Sequence, residues 1–143
     1  MAKTFSVTRE SVIAECIDRM MEEVAQVETD HGFWDQLLWE NSDPDDPAGG
    51  SVTIPRKRYR ELVIMEKIAL VHSELSEFVE VMRKEPEKMS EKIPTFKAGA
   101  DELADAIIRI LGIAKRLGYA IGHAVVAKDL FNITRPYKHG KRF

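Results

Sequence analysis

Apolar positions along the chain recur at helical spacing. Between about Thr8 and Glu28, Ile13, Cys16, Ile17, Met20, Met21, Val24 and Val27 form one stripe with a period near 3.6, which predicts a first helix ended by His31-Gly32. A second helix is predicted from about Arg58 to Arg83. A third runs from about Phe96 to Leu117, with Thr95 as a possible N-cap and Gly118 placed as the left-handed residue that ends it. A fourth runs from about Ile121 to Thr134, where Pro136 stops it. After the first helix, GFWDQLLWE reads as a short helical turn. NSDPDDPAGGSVTIP, with three prolines and two adjacent glycines in fifteen residues, belongs to a flexible loop over 41–57, either a lid or a plain surface excursion. No segment sustains period-two alternation and no internal repeat is obvious. The expected fold is all-α: a bundle of about four main helices in a single domain, 1–143, with a basic tail at 136–143.

Some polar residues fall where the pattern calls for apolar ones. At about 100° per residue, Glu74 and Glu77 of helix two lie on the line through Val63, Leu70 and Val81. The solvent face lies elsewhere, through Ala69, Ser73, Ser76 and Glu80. Carboxylates on an apolar stripe suffer desolvation and mutual repulsion, so something must compensate them. Helix three repeats the spacing in DELAD: Glu102 and Asp105 are three apart, Arg109 lies on their face, and Leu103, Ile107, Leu111 and Ala114 form the opposite, core side. A short connection between the two helices makes them antiparallel neighbours, on which four carboxylates could converge around hard divalent cations. A single such pair is ordinarily a solvated face; two pairs on adjacent helices, one within an apolar stripe, favour a metal site. A di-iron bundle needs two Glu-x-x-His motifs, and this chain has one, Glu28 to His31. An all-oxygen donor set favours Mg2+ or Mn2+ over iron or zinc.

The fourth helix and tail carry complementary chemistry. Lys128, Asn132 and Arg135 form one stripe, with Val126, Leu130 and Ile133 opposite. An ordinary amphipathic helix would also look like this, but Ile121 and Val125 continue the polar stripe, and a mid-helix Asn needs a partner for its amide. Lysine offers phosphate a point charge and arginine a planar fork. Tyr137, Lys138, His139, Lys141 and Arg142 extend the basic end and could close over a polyphosphate.

Bulk properties narrow the classes. A net charge of −3 argues against nucleic-acid binding. One cysteine, Cys16, permits no internal disulfide, which fits a reducing, cytoplasmic setting. The N-terminus has no secretory-signal pattern, and no apolar run approaches the ~20 residues that span a bilayer, so no membrane partner is expected.

KIALVHSELSEFVEVMRK at 67–84, DELADAIIRILGIAKRLG at 101–118 and AKDLFNITRPYKHGKRF at 127–143 together resemble the MazG-like branch of the all-α nucleoside triphosphate pyrophosphohydrolases. The resemblance implies a Mg2+-dependent, homo-oligomeric hydrolase, dimer or tetramer, that converts a nucleoside or deoxynucleoside triphosphate to monophosphate and pyrophosphate in nucleotide-pool control. By position Glu74, Glu77, Glu102 and Asp105 match the family's metal ligands. Lys128, Asn132 and Arg135 match its phosphate contacts, and Lys138 belongs to the same basic end. One metal-site carboxylate, with Glu77 the candidate, would orient or deprotonate the attacking water. The family's first acidic motif often has a further acid where this chain has Ser73, which bears on the number of metals.

Two other readings share these features: a phosphoribosyl-ATP pyrophosphohydrolase, and a non-catalytic nucleotide-binding helical module with a degenerate site. Base choice needs a flat apolar surface, and Phe33, Trp34 and Trp39 offer one, with Trp34 the candidate to stack on the base. These aromatics could equally cap the core. Helix two is also apolar over a wide arc through Ile64, Ile68, Val71, Leu75, Phe78 and Met82, more than one neighbouring helix covers, which places it near an interface between copies.

Overall fold

The computed structural model describes residues 8–35 and 56–136, which form an all-α bundle of four helices. They are α1 (Arg9–Asp30), α2 (Arg56–Lys84), α3 (Ala98–Arg116) and α4 (Ile121–Ile133). The loop expected over 41–57 lies outside the described residues except at its end, where 56 and 57 already belong to α2. No described helix is by itself long and apolar enough to cross a membrane.

The helix ends follow from local chemistry. Thr8 caps α1: its hydroxyl accepts from the Ser11 backbone at 3.2 Å, and the Ser11 hydroxyl accepts from the Thr8 backbone at 3.1 Å. Two glycines at φ 71° terminate helices in the same way. After α1, Gly32 N–H donates to the Thr29 carbonyl and Phe33 N–H to that of Glu28. After α3, Gly118 and Tyr119 donate to Lys115 and Ala114. Both are Schellman closures, which need a left-handed residue at the first position beyond the cap.

Helix three starts later than Phe96, and Thr95 does not cap it; Lys97 stands at the N-cap with no side-chain bond. The connector folds back on itself instead. Ser90 N–H donates to the Phe96 carbonyl at 2.9 Å and Ala98 N–H to that of Lys88 at 2.8 Å, which holds the backbone extended up to Lys97.

Helices α2 and α3 are antiparallel neighbours. Phe78 and Met82 of α2 lie against Gly99 of α3, and Glu74 reaches Arg109. Helix α1 runs antiparallel along the second half of α3: Glu28 packs on Gly112, and Glu22 pairs with Lys115. The core sits there, with Met21, Leu111 and Ala114 buried and Ile17, Val24 and Ile121 around them. The expected core stripe of α3 is therefore only half correct. Leu111 and Ala114 are buried, whereas Leu103 and Ile107 are 40% and 50% exposed, because α1 ends before reaching the first half of α3. The α1 stripe is likewise partial, with Met21 buried and Met20 and Val27 exposed.

Helix α4 packs on α1 at close range. Gly122 N–H donates to Asp18 Oδ1 at 2.8 Å, and His123 Nδ1 lies 2.9 Å from Asp18 Oδ2. Asp18 thus supplies, from another helix, a cap for the α4 N-terminus, where a carboxylate also meets the positive end of the helix dipole. The apolar side expected for α4 is not buried: Leu130 is 48% and Ile133 74% exposed.

Candidate metal centre

Antiparallel packing of α2 on α3 brings three of the four expected acids together. Glu74, Glu102 and Asp105 each offer an oxygen, all within 4.8 Å of one another. Glu74 is only 6% exposed, and Glu102 and Asp105 are half-buried.

Glu77 does not join them. It is exposed and accepts from the Ser73 hydroxyl at 3.3 Å. The reason is rotational: three residues on from Glu74 is a turn of about 300°, which leaves Glu77 about 60° off the buried line and toward Ser73. Its charge still reaches the cluster and helps to hold the Glu102 carboxyl above the usual range.

The acids are unequally compensated. Arg109 donates to Glu74 Oε1 from Nε at 2.8 Å, and its Nη2 lies 2.7 Å from the same oxygen. Lys92, from the connector, donates to Asp105 Oδ2 at 3.2 Å, and this bond raises the lysine's pKa. Among the described residues Glu102 has no cation of its own, and its Oε2 is buried without a hydrogen-bond partner. Burial is the main cause that raises its pKa; Lys92 opposes it, and the negative charges of Glu77, Asp101 and Glu74 add to it. A buried acceptor with nothing to bond, among carboxylates from two helices, fits a hard divalent cation bound through oxygen.

Three residues around the centre were not singled out by spacing. Asp101 is buried and accepts from the Ser90 hydroxyl at 2.6 Å. The same Ser90 oxygen accepts from the Lys92 and Ile93 backbones, each at 3.0 Å. This pin fixes the connector turn that carries Lys92 to Asp105. The available signal was the adjacency of Asp101 to Glu102 in a helix whose polar face has room for both.

The phosphate stripe lies elsewhere. Lys128 and Asn132 line a groove of about 860 Å3 shared with Arg9, Glu10 and Ile13, at the start of α1. The carboxylates lie beyond the other end of α1, where Glu28 packs on Gly112. From Glu10 to Glu28 the helix rises about 27 Å. Within one chain, then, Lys128 and Asn132 are far from the acids. Lys128 and Arg135 flank the Phe131 ring at 4.9 and 5.9 Å. Lys138 lies outside the described residues.

Trp34 is 5% exposed, and its Nε1 donates to Glu28 Oε2 at 2.7 Å. Lys67 and Arg116 sit over its ring at 5.4 and 5.0 Å. The indole thus ties α1 to α2 and α3, and a base would stack on it only after displacing a cation already there.

Comparison of the chain with protein-family models, with curated proteins and with solved structures finds no match.

Proposed function

We propose that this protein is a divalent-cation-dependent hydrolase that releases pyrophosphate from a nucleoside or deoxynucleoside triphosphate. The observation that carries the reading is the convergence of Glu74, Glu102 and Asp105 from facing helices, with Glu102 Oε2 buried and unpartnered. Structural ion pairs explain two of these acids; nothing within the described chain explains the third. The MazG-like sequence resemblance supplies the reaction class.

A divalent ion held by Glu74, Glu102 and Asp105 would neutralise phosphoryl oxygens and acidify water, with Mg2+ the expected ion and Mn2+ a substitute. The chain's own groups do the rest. Glu77, exposed and outside the three-acid cluster, is the candidate to accept a proton from the attacking water. Lys128, Asn132 and Arg135 bind phosphate. Since Lys128 and Asn132 lie at the opposite end of α1 from the acids, we infer that they serve the centre of another copy in a homo-oligomer.

The test is a pyrophosphate-release screen over the canonical ribo- and deoxyribonucleoside triphosphates with Mg2+ or Mn2+. At least one substrate should turn over in the wild type, and Glu74→Gln or Asp105→Asn should lose at least about 100-fold in rate with helicity intact. Near-wild-type rates in both variants at saturating cation would refute the assignment.

A further inference from the structure

Glu74 is nearly as buried as the core, and Arg109 is its only described cationic partner. The pairing is one-sided. A planar guanidinium commonly spans both oxygens of a carboxylate, yet here Nε and Nη2 both converge on Oε1. Arg109 also borders a second environment. It lines a small pocket with Glu28, Phe33, Trp34, Lys67 and Ile113, in which Glu28 is a carboxylate and Trp34 an indole. Arg109 therefore borders a second carboxylate, Glu28, besides Glu74, and it is 31% exposed.

A chain that buries Glu74 must neutralise it before any cation arrives, because a buried carboxylate without a partner is strongly destabilising. A dication on Glu74 would meet a guanidinium on the same carboxylate, and the two repel. We propose that Arg109 is the internal counter-ion of the cation-free centre, holding Glu74 until a divalent ion takes it. This rests on the reading of Glu74, Glu102 and Asp105 as a cation site. Lys92, on the exposed connector, is the matching and more easily released counter-ion of Asp105.

The proposal separates Arg109 from a residue that merely orients a ligand. An orienting arginine strengthens cation binding, so its loss weakens affinity. A competing counter-ion weakens binding, so its loss tightens affinity. Isothermal titration of the full chain with MnCl2, without nucleotide, decides between them. Arg109→Gln should bind Mn2+ about tenfold more tightly than wild type, a typical size for coupling between competing ligands. Its melting temperature without cation should fall below wild type, and saturating Mn2+ should close the gap. Arg109→Lys, which keeps the charge, guards against a folding failure and should bind close to wild type. Equal or weaker Mn2+ binding by Arg109→Gln, with wild-type binding intact, overturns the counter-ion role and leaves the cation site standing. Failure of wild type itself to bind Mn2+ overturns the cation site and the counter-ion role with it.

Discussion

Glu102 is the residue on which the centre's electrostatics turn. Glu74 and Asp105 each have a cation, whereas Glu102 faces burial and three acidic neighbours, so its carboxyl is held above the ordinary value. For an acid whose pKa is raised by folding, the favoured form is the protonated one. Its contribution is present below the unfolded pKa and is lost as pH rises through the folded value. Glu102→Gln mimics that favoured form. In cation-free buffer at neutral pH the variant should melt a few degrees above wild type, with the difference shrinking as pH falls into the carboxylate range. Thermal unfolding of both proteins across that range checks it; a constant difference, or a less stable variant, counts against the assignment. Asp101, one residue earlier, is instead satisfied by Ser90 and is held to shape the connector.

At the scale of elements, close backbone approach matters more than amphipathic pattern. Helix α4 has apolar residues on one side, but what seats it is Gly122. A Cβ there would stand 2.2 Å from the Ala14 carbonyl and 2.7 Å from Asp18 Oδ1. Gly122→Ala should therefore cost about 1–3 kcal/mol, as overpacking does, and should loosen α4 from α1. Gly118→Ala is the contrasting case: nothing lies within 4 Å of the added methyl, and only the φ of 71° resists it. Its cost should be nearer 1 kcal/mol. Urea unfolding of the two variants checks the order. Both positions are plain glycines in the sequence. Gly118 is legible there because it follows a helical period; Gly122 is not, since the atom it avoids belongs to a residue more than a hundred positions away.

The whole molecule leaves much apolar surface uncovered. Among the described residues no large side chain is fully buried. On α2, Ile68, Leu75 and Met82 are 37%, 40% and 50% exposed; on α3, Leu103, Ile107 and Ile110 are 40%, 50% and 45% exposed. In an antiparallel pair, residues about 100° on from the facing line fall on the same side of both helices. These six do so, while Glu77 and Asp105 lie to the other side. Burial of such a surface is favourable at about 25 cal/mol per Å2, and a second copy with the same face is the simplest cover. Light scattering at micromolar concentration should give at least twice the 16.3 kDa chain mass. A monomeric mass would remove both the interface and the completion of the site in trans.

The sequence by itself determined the four helices of the described residues, most of their ends, and the spacing of acids on two of them. These depend on the local period of 3.6, on caps, and on glycine and proline, all of which act within a few residues. Tertiary structure decided what depends on neighbours. Rotation of α2 kept Glu74 in the centre and left Glu77 out. The length of α1 buried Leu111 and left Leu103 and Ile107 exposed. The connector brought Lys92 to Asp105, and the direction of α4 carried Lys128 and Asn132 away from the acids. Period and spacing show which residues share a face of one helix; which face meets another helix, and at what height along it, is set by packing between segments far apart in the chain.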